Sequence, residues 1–171
     1  MIENFQASLA HVLKSEGGYV NDPRDPGGVT NLGCTQRVYE AHMRRPVSDA
    51  EMRCLSPADV GPIYKAQYWD KIRGDQLPSG LDYAVFDAAI NSGPSQAAKW
   101  LQQVLDVQDD GVIGPGTLAA VASHGTEDLI VAYQLKRIAF LKRLKTWPIY
   151  GTGWGARVTL VALTATDMAA A

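Results

Sequence analysis

Cysteine is scarce, with only Cys34 and Cys54 in a chain of 171 residues. Two thiols are too few for a disulfide framework and have no metal-type spacing, so either one bridge or two free, buried thiols is open, the free state being the expectation. A basic excess is also missing. Sixteen Lys and Arg stand against 18 Asp and Glu, a net charge of −2, which argues against nucleic acid as the main partner. No apolar run is long enough to span a bilayer, and the stretch from Val158 to Ala165 is short and interrupted by threonines. Met1-Ile2-Glu3-Asn4 has no positive region and no continuous apolar segment. No secretory signal is visible, so synthesis as a soluble cytoplasmic protein is expected. His11, His42 and His124 form no ligand cluster with the cysteines, so neither a metal nor a cofactor is expected.

What the chain does contain is a concentrated polar stretch from Glu16 to Thr35. Ile2, Phe5, Leu9, Val12 and Leu13 recur at helical steps before it and predict an amphipathic helix from about Asn4 to Ser15. Glu16 falls on or beside the apolar stripe of that helix. Gly17 and Gly18 supply the positive-φ residue that commonly ends a helix, which puts the carboxyl in the last turn. The negative end of the helix dipole and apolar surroundings both favour the protonated acid there, the form a general acid needs. A glutamate at a helix end is more often a solvated surface residue, so Glu16 alone decides little. Eight residues then separate it from Asp25, and four more separate Asp25 from Thr30. A loop that folds back would face an acid, a second carboxylate and a hydroxyl into one gap, the equipment of glycoside hydrolysis.

The run Glu16-Gly17-Gly18-Tyr19, then Asn21-Asp22-Pro23 and Asp25-Pro26-Gly27-Gly28-Val29-Thr30, resembles the glycoside hydrolase family 108 muramidases found as phage endolysins and secretion activators. The resemblance implies a lysozyme-like fold and cleavage of peptidoglycan, with Glu16 at the place of the catalytic glutamate. The Glu, Asp, Thr order is also similar to that of T4-type phage lysozymes, with the last gap one residue shorter. Asp25 and Thr30 are carried over as the other two catalytic candidates. Cys34 stands where an aliphatic residue is expected, a small change for a buried position.

Downstream, the pattern is helical. Segments are expected from Gln36 to Arg44, from a capping box at Ser48 and Glu51 stapled by Val47 and Met52, and from Ser56-Pro57 to about Trp69. Another starts near Ser79 and Asp82 and stops at Asn91-Ser92-Gly93. Only residues 19–33 suggest a small hairpin, so the fold class is all-α, or mainly α with that hairpin.

Tyr19, Tyr64, Trp69 and Asn91 are the substrate-binding candidates. Aromatics in Tyr64 to Trp69 suit stacking on sugar rings, yet their helical spacing by itself favours the core. Asn91 could bond a sugar acetamido group, or simply cap its helix. Asp87 is read as structural.

Past Gly93 a second region is expected, giving a division into 1–93 and 94–171. A helix from Pro94, an Asp110-Gly111 turn, Gly114-Pro115 and a following helix resemble the peptidoglycan-binding half that accompanies family 108 catalytic regions. Thr126 opens a long helix with a basic end, read as a solvated face. Pro148, Gly151, Gly153 and Gly155 predict a loop before a last helix from about Ala156. The expectation is a monomeric muramidase acting on peptidoglycan in the periplasm, released by a holin or another export partner. A lytic transglycosylase and a non-enzymatic wall-binding or secretion-assisting protein are the alternatives.

Overall fold

The computed structural model describes residues 2–21 and 28–171. Helix α1 (Ile2–Ser15) forms where the apolar spacing places it, and Phe5, Leu9, Val12 and Leu13 are all buried. Gly17, at φ +76°, ends it in the left-handed region. Two compact units divide the chain, residues 6–67 and residues 68–171 with 1–5.

In the first unit, β1 (Thr30–Asn31) and β2 (Cys34–Thr35) pair antiparallel. Leu32 and Gly33 turn between them at φ +50° and +71°, as a two-residue type I′ hairpin requires. Val20 and Thr30 exchange backbone hydrogen bonds of 2.8 and 2.9 Å. Thr35 caps α2 (Gln36–Met43) by accepting from Val38 N, and Arg44 leaves the helix at φ +55°. α3 (Asp49–Arg53) starts on the reciprocal Ser48–Glu51 capping box, with Val47 and Met52 buried on either side of it. In α4 (Pro57–Tyr64) the Asp59 carboxylate reaches back to Ser56 N at 2.8 Å, and Pro57 occupies the first turn. The chain continues through one π-helical turn, Lys65–Trp69, which completes the expected segment.

In the second unit, α5 (Leu81–Ser92) is buried over most of its length. It packs with α6 (Pro94–Val104), α8 (Thr126–Leu141) and α9 (Trp147–Ala170), while α7 (Pro115–Ala122) follows the Asp-Gly turn. Those contacts draw residues 68–93 into the unit that also holds 94–171. The compact units therefore part near Tyr68. Asp87 ties three helices together. Its Oδ1 accepts from Arg157 Nε at 2.9 Å, and its Oδ2 lies 2.7 Å from Arg137 Nη1, an ion-pair approach off hydrogen-bond alignment. Asp82 is buried as well and accepts from Asn4 Nδ2 at 2.9 Å, Gly80 N at 2.8 Å and Tyr83 N at 2.7 Å.

Two expectations need correction. The expected loop at 148–155 is helical and forms the first two turns of α9. Pro148 is tolerated in a first turn, and Gly151 is buried against Trp147, whose ring lies 2.5 Å from where a Cβ would stand. The second concerns the thiols, which are both free: Cys34 is buried but Cys54 is exposed. Burial pushes the Cys34 thiol up to about 11, so it packs as an inert apolar group.

Candidate active site

Glu16 follows the last residue of α1, and the two glycines after it turn the chain sharply into Tyr19. The side chain is half-buried. Opposite it stands the tip of the β1–β2 hairpin. A Cβ at Gly33 would lie 3.1 Å from Glu16 Oε2, 3.2 Å from Glu16 Cβ and closer still, 2.3 Å, to the Tyr64 hydroxyl. Gly33 thus lets the hairpin tip lie directly on the acid. Tyr64, at the end of α4, donates to Leu32 O at 3.0 Å and fixes that tip from the other side. Three separated segments of the unit thus gather around Gly33.

The chain leaving Glu16 is anchored too. The Tyr19 hydroxyl donates to Asp49 Oδ1, and the Arg53 guanidinium lies 4.1 Å from the centre of the Tyr19 ring. Arg53 Nε also donates to Asp49 Oδ2 at 2.8 Å. The bond to Asp49 pushes the Tyr19 hydroxyl above its ordinary range, and the same bond, with Arg53, holds the Asp49 carboxyl below its own. One ring face of Tyr19 is therefore taken by Arg53. Behind the hairpin, buried Asn31 donates to Met52 O at 2.8 Å and fastens β1 to the end of α3.

The remaining candidates divide between the units. Thr30 opens β1, its Oγ1 3.4 Å from Gly28 O, and its pairing with Val20 returns the chain close to the strand that follows Glu16. Asp25 lies outside the described residues. Tyr64 is buried and serves the hairpin tip, so its expected role as a sugar platform gives way to support of Leu32 and Gly33. Trp69 belongs to the second unit and is fully enclosed there, edge-on to Phe5 at 5.4 Å and Phe86 at 5.3 Å, with Nε1 donating to Asp75. A ring with no open face cannot stack on a sugar. The helical spacing that favoured the core describes both rings. Asn91, also in the second unit, is exposed in the last turn of α5 and accepts from Ser92 Oγ at 3.2 Å.

Gly33, Asp49 and Arg53 are the residues missed from sequence. For Gly33 the signal was present: a Leu-Gly pair between Thr30-Asn31 and Cys34-Thr35 has the length of a two-residue hairpin loop. Nothing local points to Asp49, which lies 30 residues from Tyr19. Among the described residues no group of three or more metal-ligating side chains gathers. The arrangement offers a positioned, half-open carboxyl beside a hairpin tip, able to pass a proton to a group approaching from solvent.

Residues 9–93 match the family model Glycosyl hydrolase 108, and residues 96–159 match a model described as a predicted peptidoglycan domain. A solved structure of SagA from Brucella abortus is similar at 43% identity and a TM-score of 0.84, covering 99% of this chain and 97% of that one. No curated protein matches.

Proposed function

Because this chain belongs to glycosyl hydrolase family 108, has a mainly α, lysozyme-like fold and is a peptidoglycan-acting hydrolase, we propose that Glu16 is the general acid of a muramidase. In this reading the Glu16 carboxyl gives its proton to the glycosidic oxygen of the β-1,4 bond between N-acetylmuramic acid and N-acetylglucosamine. The C–O bond breaks toward an oxocarbenium-like transition state, and water completes hydrolysis at the muramic anomeric carbon. Asp25 stabilises the developing positive charge or orients that water, and Thr30 assists with the water. Tyr19 contacts the glycan beside it.

One observation carries the reading. The hairpin tip lies on the Glu16 carboxyl, the Gly33 Cβ position 3.1 Å from Oε2, and the Tyr64 hydroxyl holds that tip through Leu32 O. A solvated surface glutamate needs no such seat, whereas a proton donor to a bound glycan must be held in place. Among the described residues no helix is long and apolar enough to cross a membrane. In this reading a holin-type pore or another export partner delivers the chain to the wall.

The test is digestion of purified peptidoglycan by wild type and Glu16→Gln, with the product ends identified by mass spectrometry. New muramic reducing ends with wild type, and a loss of about a hundredfold or more with Glu16→Gln at unchanged folding, are expected. Anhydro-muramic ends would mean a transglycosylase instead. Undiminished digestion by Glu16→Gln would remove Glu16 from the chemistry altogether.

A further inference from the structure

The outer face of α8 carries aliphatic side chains where a solvated helix has polar ones. Val131 and Leu135 are 49% and 63% exposed, and on the neighbouring α9 Leu163 is 63% exposed. Between the two helices runs a groove of about 230 Å³, walled by Leu135, Ile138, Val158, Ala162 and Leu163. Gln134, also on its wall, is buried and has no hydrogen-bond partner for either amide atom among the described residues. Lone exposed leucines need no explanation, but a contiguous patch beside a groove marks a contact surface.

The order of residues along α8 says what fits there. Asp128, Val131, Leu135, Ile138 and Lys142 follow one another at alternating steps of three and four, the spacing of a packed helical seam. Asp128 and Lys142 stand seven residues before and after Leu135, and Glu127 and Arg143 stand eight before and after it. A second α8 laid antiparallel, with its Leu135 opposite the first, would set each Asp128 against the other chain's Lys142. The aliphatic side chains would meet in the middle. Acids in a first turn and bases beyond a last turn suit any helix dipole, so the charges alone prove nothing. The exposed seam centred between them is what the dipole does not explain.

We propose that this face is a self-complementary interface, through which two copies of the chain pair α8 against α8 about a two-fold axis at Leu135. The groove beside α9 receives the partner's α8. This replaces the monomer expected from sequence.

Sedimentation velocity on the full chain, from low micromolar to submillimolar concentration, should show a monomer–dimer equilibrium. Leu135→Asp should weaken it about a hundredfold, since it places two carboxylates at the centre of the contact. Leu135 is exposed, so folding should survive, and circular dichroism checks that. Asp128→Lys alone and Lys142→Asp alone should each weaken the dimer roughly three- to tenfold, and the double exchange should restore it. As an independent arm, Leu135→Cys in a Cys54→Ser background should oxidise to a covalent dimer without denaturant. A chain that remains monomeric throughout overturns the proposal, whatever glycan or lipid surface occupies the groove. So does a dimer unmoved by Leu135→Asp, and so does a double exchange that fails to restore binding.

Discussion

Replacing Gly33 with alanine tests the seat of the acid most directly. Two costs add. At φ +71° an L side chain is strained by about 1–2 kcal/mol. The new Cβ also lands 2.3 Å from the Tyr64 hydroxyl and 3.1 Å from Glu16 Oε2, an overpacking worth about 1–3 kcal/mol. Together, about 2–5 kcal/mol, they correspond to a fall in Tm of roughly 5–15 °C for a chain of this size. The Glu16 carboxyl must give by a few tenths of an ångström, and since misplacement by about 1 Å lowers a positioned reaction by about a hundredfold, a smaller but measurable loss of digestion is expected. Tyr64→Phe separates the two terms, since it removes the hydroxyl while leaving the φ strain. Alone it strips Leu32 O of its donor, a loss of about 1–3 kcal/mol. Combined with Gly33→Ala it also relieves the closest clash, so the double variant should be about 1–2 kcal/mol more stable than the sum of the singles. Urea denaturation of the four proteins gives the cycle, and peptidoglycan digestion gives the activity. Strict additivity together with wild-type digestion by Gly33→Ala would show that the hairpin tip does not hold the acid.

Asp87→Ala leaves Arg137, 1% exposed, without its carboxylate and should cost about 3–5 kcal/mol, whereas Arg157, 18% exposed, can turn toward water; urea unfolding measures this, and a change below 1 kcal/mol would show the network to be dispensable. The acid side of the stability profile should depend on Glu51, whose carboxyl the Arg45 guanidinium and the Ser48 groups hold down to about 2 against an ordinary value of 4.5. The stability it adds is complete above about 4.5 and disappears as pH falls toward about 2, so wild type and Glu51→Gln should converge on acidification. Asp82 runs the other way, because burial raises its carboxyl above the ordinary 3.8. Its contribution is greatest below 3.8 and fades as pH rises, so Asp82→Asn should gain on wild type toward neutrality, and a constant difference across pH would refute the assignment.

The parts legible in the sequence are those whose physics is local. Ser48 with Glu51, and Ser56 with Pro57 and Asp59, start helices because the cap, the carboxylate and the first turn lie within three residues. The Glu16-Gly17 step was legible for the same reason, a helix end and its glycine being neighbours. Where a residue's partner is distant, local pattern misleads. Gly151 reads as a loop residue until Trp147 is seen lying on it, and Ser79 reads as a cap although its hydroxyl donates to Met168 O, 89 residues away. Asp87 was assigned to structure, but its partners Arg137 and Arg157 are 50 and 70 residues downstream and carry no mark in the sequence.

The candidate site falls between these cases. Its acid belongs to a local motif, whereas its seat is assembled from Gly33 and Tyr64, 17 and 48 residues beyond Glu16. Tyr64 reads as an aromatic on a helix and the hairpin expected over 19–33 ends at Gly33, so nothing local shows that the two meet beside Glu16. The candidate acid is therefore named from a short motif, while the contacts around it come only from the folded chain. Substitutions at Gly33 should accordingly impair digestion more than those at Gly18, where a Cβ would meet nothing within 4 Å, although both glycines belong to the same polar stretch.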